Sequence, residues 1–365
     1  MNRQKTKQYK TDINAMKTLF TSDYCEGALP RIIQRLQETN MVQTVGYGED
    51  EYCAQARELI RSACGRKDVD VHFLVGGTQT NATVISSILK PYQGVLCAET
   101  GHINVHETGA VEHGGHKILP LPSPDGKITA GQIREALEDH FIDANHEHMV
   151  MPGMVYISFS TESGTIYSRE ELTAISEVCR SFEIPLFVDG ARLGYGMAAS
   201  ELIYGQDALT LKDFAQLTDV FYIGGTKQGA LFGEAVVITN DALKEDFRYC
   251  IKQGGGMLAK GRLLGIQFAA LFEDGLYMDA ARGAVQKAAR IREAFEAKGI
   301  GFLVDSPTNQ VFPILTEEQM AFFEKDFGFE VWKKLPDGRI GVRFCTSWAT
   351  PDVNVRLLVS AIKKL

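Results

Sequence analysis

The chain has 365 residues, 45% of them hydrophobic, which is enough to bury a large core without disulfide or metal cross-links. It carries 46 acidic and 38 basic residues, and the formal net charge of −8 argues against a nucleic-acid-binding surface. Seven cysteines without a C-x-x-C pair, a polar N-terminus and the lack of a bilayer-length apolar run predict a cytoplasmic protein that binds no membrane.

Short apolar segments alternate with helical patterns over roughly the first 250 residues. Strands are predicted at 71–75, 95–98, 155–159, 185–188, 220–223 and 235–238. Helices are predicted at 82–89, 130–140, 169–182 and 211–216. This alternation indicates an α/β fold with a mostly parallel sheet that is covered by helices on both faces.

The pattern changes after about residue 256. Two long helices are predicted at 257–272 and 277–298, followed by short strands near 302–304, 310–314 and 340–344 and a final helix at 352–364. We therefore expect an N-terminal arm and a large domain over residues 1–265, and a smaller α+β domain over residues 266–365.

A glycine-rich turn, Gly76-Gly77-Thr78, follows the first predicted strand and precedes a helix. Free backbone N–H groups at a helix N-terminus bind phosphate well, and the Thr78 hydroxyl would add a donor. The turn is neither a P-loop nor a dinucleotide-binding motif, because their glycine and lysine spacing is missing. A tight strand-to-helix turn without a ligand explains the same residues equally well.

Two later strands end in residues that suit a cofactor site. Asp189 ends one of them and is followed by Gly-Ala-Arg192, at the sheet edge where open α/β sheets bind ligands. A buried carboxylate there needs a cation, which a protonated pyridine nitrogen or Arg192 could supply. Lys227 follows the next strand in a turn of small residues and suits covalent chemistry, unless it is an ordinary exposed loop lysine.

Histidines and one arginine complete the candidate set. His102, His106, His113 and His116 lie close together, but without the spacing of a zinc site, so we predict no metal. His102 is the one that we expect to stack on a ring, and the others are expected to be surface or core residues. Arg343, on a predicted strand, could bind a substrate carboxylate or form a surface salt bridge.

The order of these motifs resembles that of the fold-type I pyridoxal-phosphate enzymes, with a large, mostly parallel domain and a smaller C-terminal domain. Within the motifs, the sequence is similar to the low-specificity L-threonine aldolases of the β-eliminating lyase family. The similar blocks extend from about residue 20 to the C-terminus and are Phe20-Thr-Ser22-Asp23, Tyr47-Gly48-Glu49-Asp50, Gly77-Thr78, Gly101-His102-Ile103, Asp189-Gly190-Ala191-Arg192-Leu193 and Gly254-Gly-Gly-Met257.

The resemblance implies pyridoxal 5′-phosphate as the cofactor and an amino acid as the substrate. It implies that Lys227 forms the covalent link and that Asp189 pairs with the pyridine nitrogen. The remaining implied cofactor contacts are a stacked His102, Arg192 at the ring hydroxyl, and Gly77 with Thr78 at the phosphate. Substrate contacts would come from Ser22 and Arg343, and Tyr47 would reach the site of a partner subunit in a homodimer or homotetramer.

Two positions depart from the family pattern. Thr161-Glu162-Ser163 stands where the family has Thr-His-Asn, so we expect Glu162 to replace that histidine as a catalytic base or as a hydrogen-bond acceptor. Leu258 stands where the family tends to have arginine, with Lys260 and Arg262 close behind. The implied reaction is cleavage of the Cα–Cβ bond of a β-hydroxy-α-amino acid such as threonine, allo-threonine or a bulkier analogue. Open alternatives are β-elimination, transamination, racemisation, or cofactor binding with little catalysis.

Overall fold

The computed structural model of the protein describes residues 17–365, so the N-terminal segment used above to predict that there is no export signal lies outside the described part. Within that part, none of the helices combines the length and the apolar character that crossing a membrane requires.

Thirteen strands are present in residues 17–365, and seven of them form the main sheet. They are β1 Thr18–Leu19, β2 Asp70–Leu74, β3 Gln93–Ala98, β4 Lys117–Leu121, β5 Met151–Ser158, β6 Leu186–Asp189, β7 Val220–Gly224, β8 Glu234–Ile238, β9 Gln310–Val311, β10 Ile314–Leu315, β11 Phe327–Gly328, β12 Glu330–Lys334 and β13 Ile340–Cys345.

Fourteen α-helices accompany these strands in the same part of the chain. They are α1 Pro30–Glu38, α2 Glu51–Cys64, α3 Gly77–Ile88, α4 His102–Val105, α5 Ala110–His113, α6 Ala130–Ile142, α7 Arg169–Ser181, α8 Leu193–Tyr204, α9 Leu211–Leu217, α10 Phe247–Gln253, α11 Arg262–Phe272, α12 Leu276–Glu296, α13 Glu317–Phe323 and α14 Asp352–Ile362. Capping boxes begin several of them, among them Thr129 with Gln132 at α6 and Ser168 with Glu171 at α7.

The main sheet has the strand order β2-β8-β7-β6-β5-β3-β4. Strand β8 runs antiparallel to β2 and β7, and the other neighbouring pairs are parallel. Because parallel strands end at the same edge, the residues that follow β5, β6 and β7 lie close together. This edge carries the candidate site.

Hydrophobic residues pack on both faces of the sheet. One cluster includes Val155, Val188 and Phe221, and a second includes Tyr156, Phe187 and Tyr222. Neighbouring residues of one strand therefore belong to opposite clusters, as the alternation of side chains along a strand requires. The sheet is accordingly covered on both sides, as the sequence predicts.

A third hydrophobic cluster belongs to the C-terminal part of the chain, where β13 pairs with β9, β10 and β12. Phe20 packs in this cluster, and β1 pairs with β11, so the start of the described chain contacts its end. The predicted domain boundary after residue 265 falls within α11 and stays a prediction.

All strands predicted for the main sheet are present, and so are the helices predicted between them, with shifted ends. The largest shift is in α3, which begins at Gly77 rather than at residue 82. The strand predicted at 302–304 is wrong, because the chain makes only an isolated bridge from Phe302 to Pro313 there. Strand β4 was not predicted; Pro120 lies in it, and β4 is at the edge of the sheet, where a missing N–H is tolerated.

Candidate active site

Lys227 lies in the connection between β7 and β8, at the carboxyl edge of the sheet. Its side chain is partly buried and lines a cavity of about 210 Å³. Within residues 17–365 its amine forms no ion pair with the surrounding carboxylates. Burial and the positive charge of Arg192 lower the pKa of Lys227, which favours the neutral, nucleophilic amine. Lys227 is therefore not an ordinary exposed loop lysine.

Asp189 ends β6 and lines the same cavity. Its carboxylate accepts hydrogen bonds from the hydroxyls of Tyr156 (2.5 Å) and Tyr222 (2.5 Å), from Asn81 Nδ2 (2.9 Å) and from the Ala191 N–H (2.9 Å). Burial alone would raise the pKa of Asp189, but the charge of His102 and these donors hold it below its ordinary value. Asp189 is thus an ionised acid in a buried position, and its partner is not Arg192.

His102 begins α4 and is linked to Asp189 through two buried side chains. Its Nδ1 lies 2.7 Å from Glu107 Oε1, and Asn81 Nδ2 donates both to that oxygen (2.8 Å) and to Asp189. Burial would lower the pKa of His102, but the hydrogen bond to Glu107 and the nearby acids raise it. This network fixes the orientation of the imidazole at the cavity wall.

Glu162 lies beyond the end of β5 and lines the cavity beside His102 and Lys227. Its Oε1 accepts hydrogen bonds from the His102 N–H (3.0 Å) and from Ser158 Oγ (2.8 Å). Burial and the negative charge of Asp189 raise the pKa of Glu162. A carboxyl group with a raised pKa can exchange protons closer to neutral pH than an ordinary glutamate.

The N-terminus of α3 opens onto the same cavity through Gly76, Gly77 and Thr78. The first N–H groups of a helix have no intrahelical acceptor, and no side chain caps this helix, so these groups are available to a ligand. A Cβ at Gly77 would lie 3.2 Å from the Tyr222 hydroxyl, which explains why a small residue is needed here. The turn therefore offers an anion site rather than a self-capped turn.

Arg192 forms a buried two-pronged ion pair with Asp23. Its Nε and Nη2 donate to the two carboxylate oxygens at 2.7 and 3.0 Å, and Asn309 Nδ2 donates to Asp23 at 2.9 Å. Arg192 also lines the cavity, next to Lys227. Asp23 was not predicted as a site residue, although the sequence places it next to Ser22 in a block that resembles the family.

Arg343 lines a second, outer cavity of about 350 Å³ that shares His102, Glu162, Arg192 and Lys227 with the first. Arg343 donates to Gln310 Oε1 (2.9 Å) and to the Thr21 carbonyl (3.1 Å), and it forms an ion pair with Glu330. Its guanidinium lies 5.1 Å from the centre of the Trp332 ring. This is a buried arginine in a cavity wall, not a surface salt bridge.

Several residues expected near the substrate or cofactor lie elsewhere. The Ser22 hydroxyl is buried without a hydrogen-bond partner in the described chain and lines neither cavity. Tyr47 and Leu258 line a separate small cavity. Arg262 donates to the carbonyl oxygens of Val42 and Thr39.

The remaining histidines of the described chain differ in exposure, and only His106 among them lines a cavity of the candidate site. His106 is exposed at the outer cavity, with its ring centre 5.6 Å from that of His102. His113 is exposed and His116 is buried. No group of three or more potential metal ligands occurs within residues 17–365. Sequence reasoning missed Glu107, Glu234, Glu330 and Trp332, of which Glu234 alone left a signal, as an acid at the start of an apolar strand.

The residues of the inner cavity fit pyridoxal 5′-phosphate. They supply a reactive amine at Lys227 for its aldehyde, a buried ionised acid at Asp189 for its pyridinium nitrogen, and the uncapped α3 N-terminus for its phosphate. Each of the three groups is one that such a cofactor needs, and all three line one cavity.

Comparison with known proteins agrees with this chemistry. Residues 20–318 match the model of the family described as β-eliminating lyase. The low specificity L-threonine aldolase of Pseudomonas sp. (strain NCIMB 10558) is 32% identical over 94% of this chain and 96% of its own length.

Solved structures of threonine aldolases share the fold of this chain. A Leishmania major threonine aldolase superposes with a TM-score of 0.91 at 43% identity, covering 95% of this chain and 99% of that one. A putative L-allo-threonine aldolase from Listeria monocytogenes shares the fold, with a TM-score of 0.74 at 18% identity over 97% and 98% of the two chains. The predicted fold class, that of the fold-type I pyridoxal-phosphate enzymes, is confirmed. The chain belongs to the β-eliminating lyase family and is a lyase that depends on pyridoxal phosphate.

Proposed function

We propose that the protein cleaves the Cα–Cβ bond of a β-hydroxy-α-amino acid, converting threonine or allo-threonine, or a bulkier analogue, into glycine and an aldehyde. The observation that carries this proposal is the pair of joined cavities. The inner one is lined by the groups that suit the cofactor, and the outer one is lined by Arg343 and Glu162, which would meet an entering amino acid. The threonine aldolases among the relatives support the same reaction.

Several residues of the inner cavity have a role in this proposal. Lys227 would hold the cofactor covalently, the α3 N-terminus would bind its phosphate, and Asp189 would keep its ring nitrogen protonated. When bound, pyridoxal phosphate supplies an electron sink for the negative charge that develops at Cα. Asp189 contributes by keeping a negative charge fixed in a buried site, where electrostatic stabilisation is strong. His102, held by Glu107, would cover one face of the ring.

The outer cavity would orient the substrate. Arg343 would bind the carboxylate, so that the Cα–Cβ bond stands in a defined direction. Glu162 would accept the β-hydroxyl proton, a role for which its raised pKa suits it. Ser22 lies next to Asp23 but outside both cavities, and we propose that its contribution to carboxylate binding is indirect.

We also propose that the protein works as a homodimer or homotetramer in the cytoplasm. The segment from Met41 to Tyr47 exposes Met41 (88%), Val45 (63%) and Tyr47 (48%). The amine of Lys252 lies over the Tyr47 ring, and Tyr249, three positions before that lysine, is also exposed. An exposed apolar surface of this kind suits a subunit contact through which Tyr47 reaches a partner site. Seven free cysteines suit a reducing compartment. Light scattering of the purified protein and fractionation of cells test the two proposals.

Product analysis of the purified enzyme tests the reaction. Threonine should yield glycine and acetaldehyde in equal amounts, and Lys227→Ala should lose both the turnover and the absorption band of the bound cofactor. Pyruvate and ammonia from serine, without aldehyde from any β-hydroxy amino acid, would show that the scaffold catalyses β-elimination instead. A bound cofactor without turnover of a broad amino-acid panel would refute catalysis.

A further inference from the structure

Glu234 is a buried acid that the mechanism above leaves without a role. It begins β8 and is 3% exposed, and it lines the inner cavity together with Lys227 and Asp189. Acidic side chains are rarely buried to this extent unless their oxygens are hydrogen-bonded. The partners of its carboxyl group therefore indicate what it does.

Both carboxyl oxygens of Glu234 bind the turn that carries Lys227. Oε2 accepts from the Gly225 N–H at 3.0 Å, and Oε1 accepts from Thr226 Oγ1 at 2.8 Å. The same threonine hydroxyl accepts from the Gly233 N–H at 3.0 Å. The two residues that precede the lysine are thus tied directly to one acid, which fixes the direction in which the Lys227 side chain leaves the backbone.

The charge of Glu234 also acts on the lysine amine. The charged groups that act most strongly on Lys227 come from four other elements or segments, and they are Arg192, Asp23, Asp189 and Glu234. The titratable side chains of His102 and Glu162 line the same cavity and face the lysine as well. Burial and Arg192 lower the pKa of the amine, whereas the three acids raise it. Burial raises the pKa of Glu234 to about 7, although Thr226, Gly225 and Lys227 favour its ionised form. Glu234 thus changes its charge near neutral pH, beside a lysine that must lose its proton to react.

We propose that Glu234 is a positioning residue for Lys227, which fixes the turn before the lysine and through its negative charge sets the pH at which the amine becomes reactive. The inference rests on the proposed attachment of the cofactor at Lys227, and not on cleavage of any substrate. In the attachment step, the neutral amine attacks the cofactor aldehyde and a carbon–nitrogen double bond replaces the carbon–oxygen double bond. The aldehyde oxygen leaves as water with the two amine hydrogens. Because the attack needs the lone pair of the nitrogen, only the deprotonated lysine can react.

The rate at which the cofactor-free protein captures pyridoxal phosphate tests this proposal. Stopped-flow absorbance would give the capture rate as a function of pH, and borohydride reduction followed by peptide mapping would locate the attached lysine. Glu234→Gln keeps the size of the side chain and an acceptor for the turn but removes the charge. Because a negative charge stabilises the ammonium, its removal should move the midpoint of the pH–rate profile to lower pH, by about one pH unit.

Glu234→Asp is the matched control, because it keeps the charge and shortens the side chain. We expect its midpoint to stay near that of the wild type, with slower capture at every pH since the turn is held less firmly. An unchanged midpoint in Glu234→Gln, or the same displacement in both variants, would overturn the proposal. Exposed Glu170→Gln should match the wild type and controls for a change in net charge.

The two proposals fail in different ways. If reduction labels Lys227 in the wild type and the Glu234→Gln midpoint does not move, only the role of Glu234 is wrong. If the label is absent from Lys227 in the wild type, the attachment site is wrong, and the proposed function falls together with this inference. Circular dichroism of each variant shows whether it is folded. If Glu234→Gln does not fold, the pH–rate profile of Glu234→Asp still tests the proposal. A displaced midpoint in this variant, which keeps the charge, would contradict it.

Discussion

We predict that Asp23→Asn lowers the free energy of unfolding by about 3 kcal/mol, because it removes one charge of a buried, two-pronged ion pair. Arg192 is buried with Asp23 and would keep its charge without an ionised partner. Breaking such a pair costs more than breaking an exposed one, since the remaining charge stays out of water.

The pKa of Asp23 gives an independent magnitude. Burial alone would raise it, but Arg192, Lys227 and the hydrogen bonds from Arg192 and Asn309 lower it from the ordinary 3.8 to about 2. That difference corresponds to roughly 2–3 kcal/mol of stabilisation at neutral pH. Because the folded-state pKa is the lower one, the stabilisation is complete above about pH 4 and is lost as the pH falls from there to about 2.

Urea unfolding of the cofactor-free protein, at one protein concentration, measures the effect. The difference between wild type and Asp23→Asn should be constant from about pH 8 to pH 5 and shrink below about pH 4. The matched control is Asp305→Asn, whose side chain is 85% exposed and pairs with Arg292. That exchange should cost less than about 1 kcal/mol. Equal losses in the two variants would refute the argument from burial, and so would a difference that varies between about pH 8 and pH 5.

Three further substitutions test the site. Asp189→Asn should retain the cofactor on Lys227 but lose roughly 10²-fold or more in kcat, and full activity would remove Asp189 from the mechanism. Glu162→Gln should lose about 10²- to 10⁴-fold in aldehyde release. In the wild type, activity should fall as the pH drops through the raised pKa of Glu162. The residual activity of the variant should lack this fall at acidic pH. An unchanged rate, or an unchanged fall, would contradict the role of Glu162 as the base. Glu330→Gln should lower KM by up to about fivefold at constant kcat, because the partly exposed Glu330 would no longer compete with the substrate carboxylate for Arg343; a higher KM would show that Glu330 instead orients Arg343.

The sheet and its ligand-binding edge could be predicted because local patterns determine them. Strands β6 and β7 are apolar runs that end in Asp189 and at the turn before Lys227, and their shared edge follows from parallel pairing. Helix α8 could not be found in the same way, since it is buried on nearly all sides and lacks an amphipathic period. Its Gly194 and Gly196 resemble loop residues in the sequence, yet a Cβ at either would collide with Gln228 or Phe159.

The partners of the site residues were harder to predict than the residues themselves. Asp23 and Arg192 are 169 positions apart, and Glu330 pairs with Arg343 across two strands whose register the sequence does not reveal. The sequence placed Arg192 and Arg343 near ligands, but it could not show that both already hold a carboxylate of the protein. Long-range pairing of charges depends on how the N-terminal segment and the small sheets pack, and no local pattern encodes that packing.

The placement of Lys227 between β7 and β8 determines which opening motions of the protein can displace it. Both strands lie inside the seven-stranded sheet, each with a hydrogen-bonded neighbour on either side. Fraying of an outer strand or a terminus therefore leaves the lysine in place, and its backbone is released only when these two inner strands separate from their neighbours. Amide hydrogens of β7 and β8 should accordingly exchange with solvent about as slowly as any in the molecule.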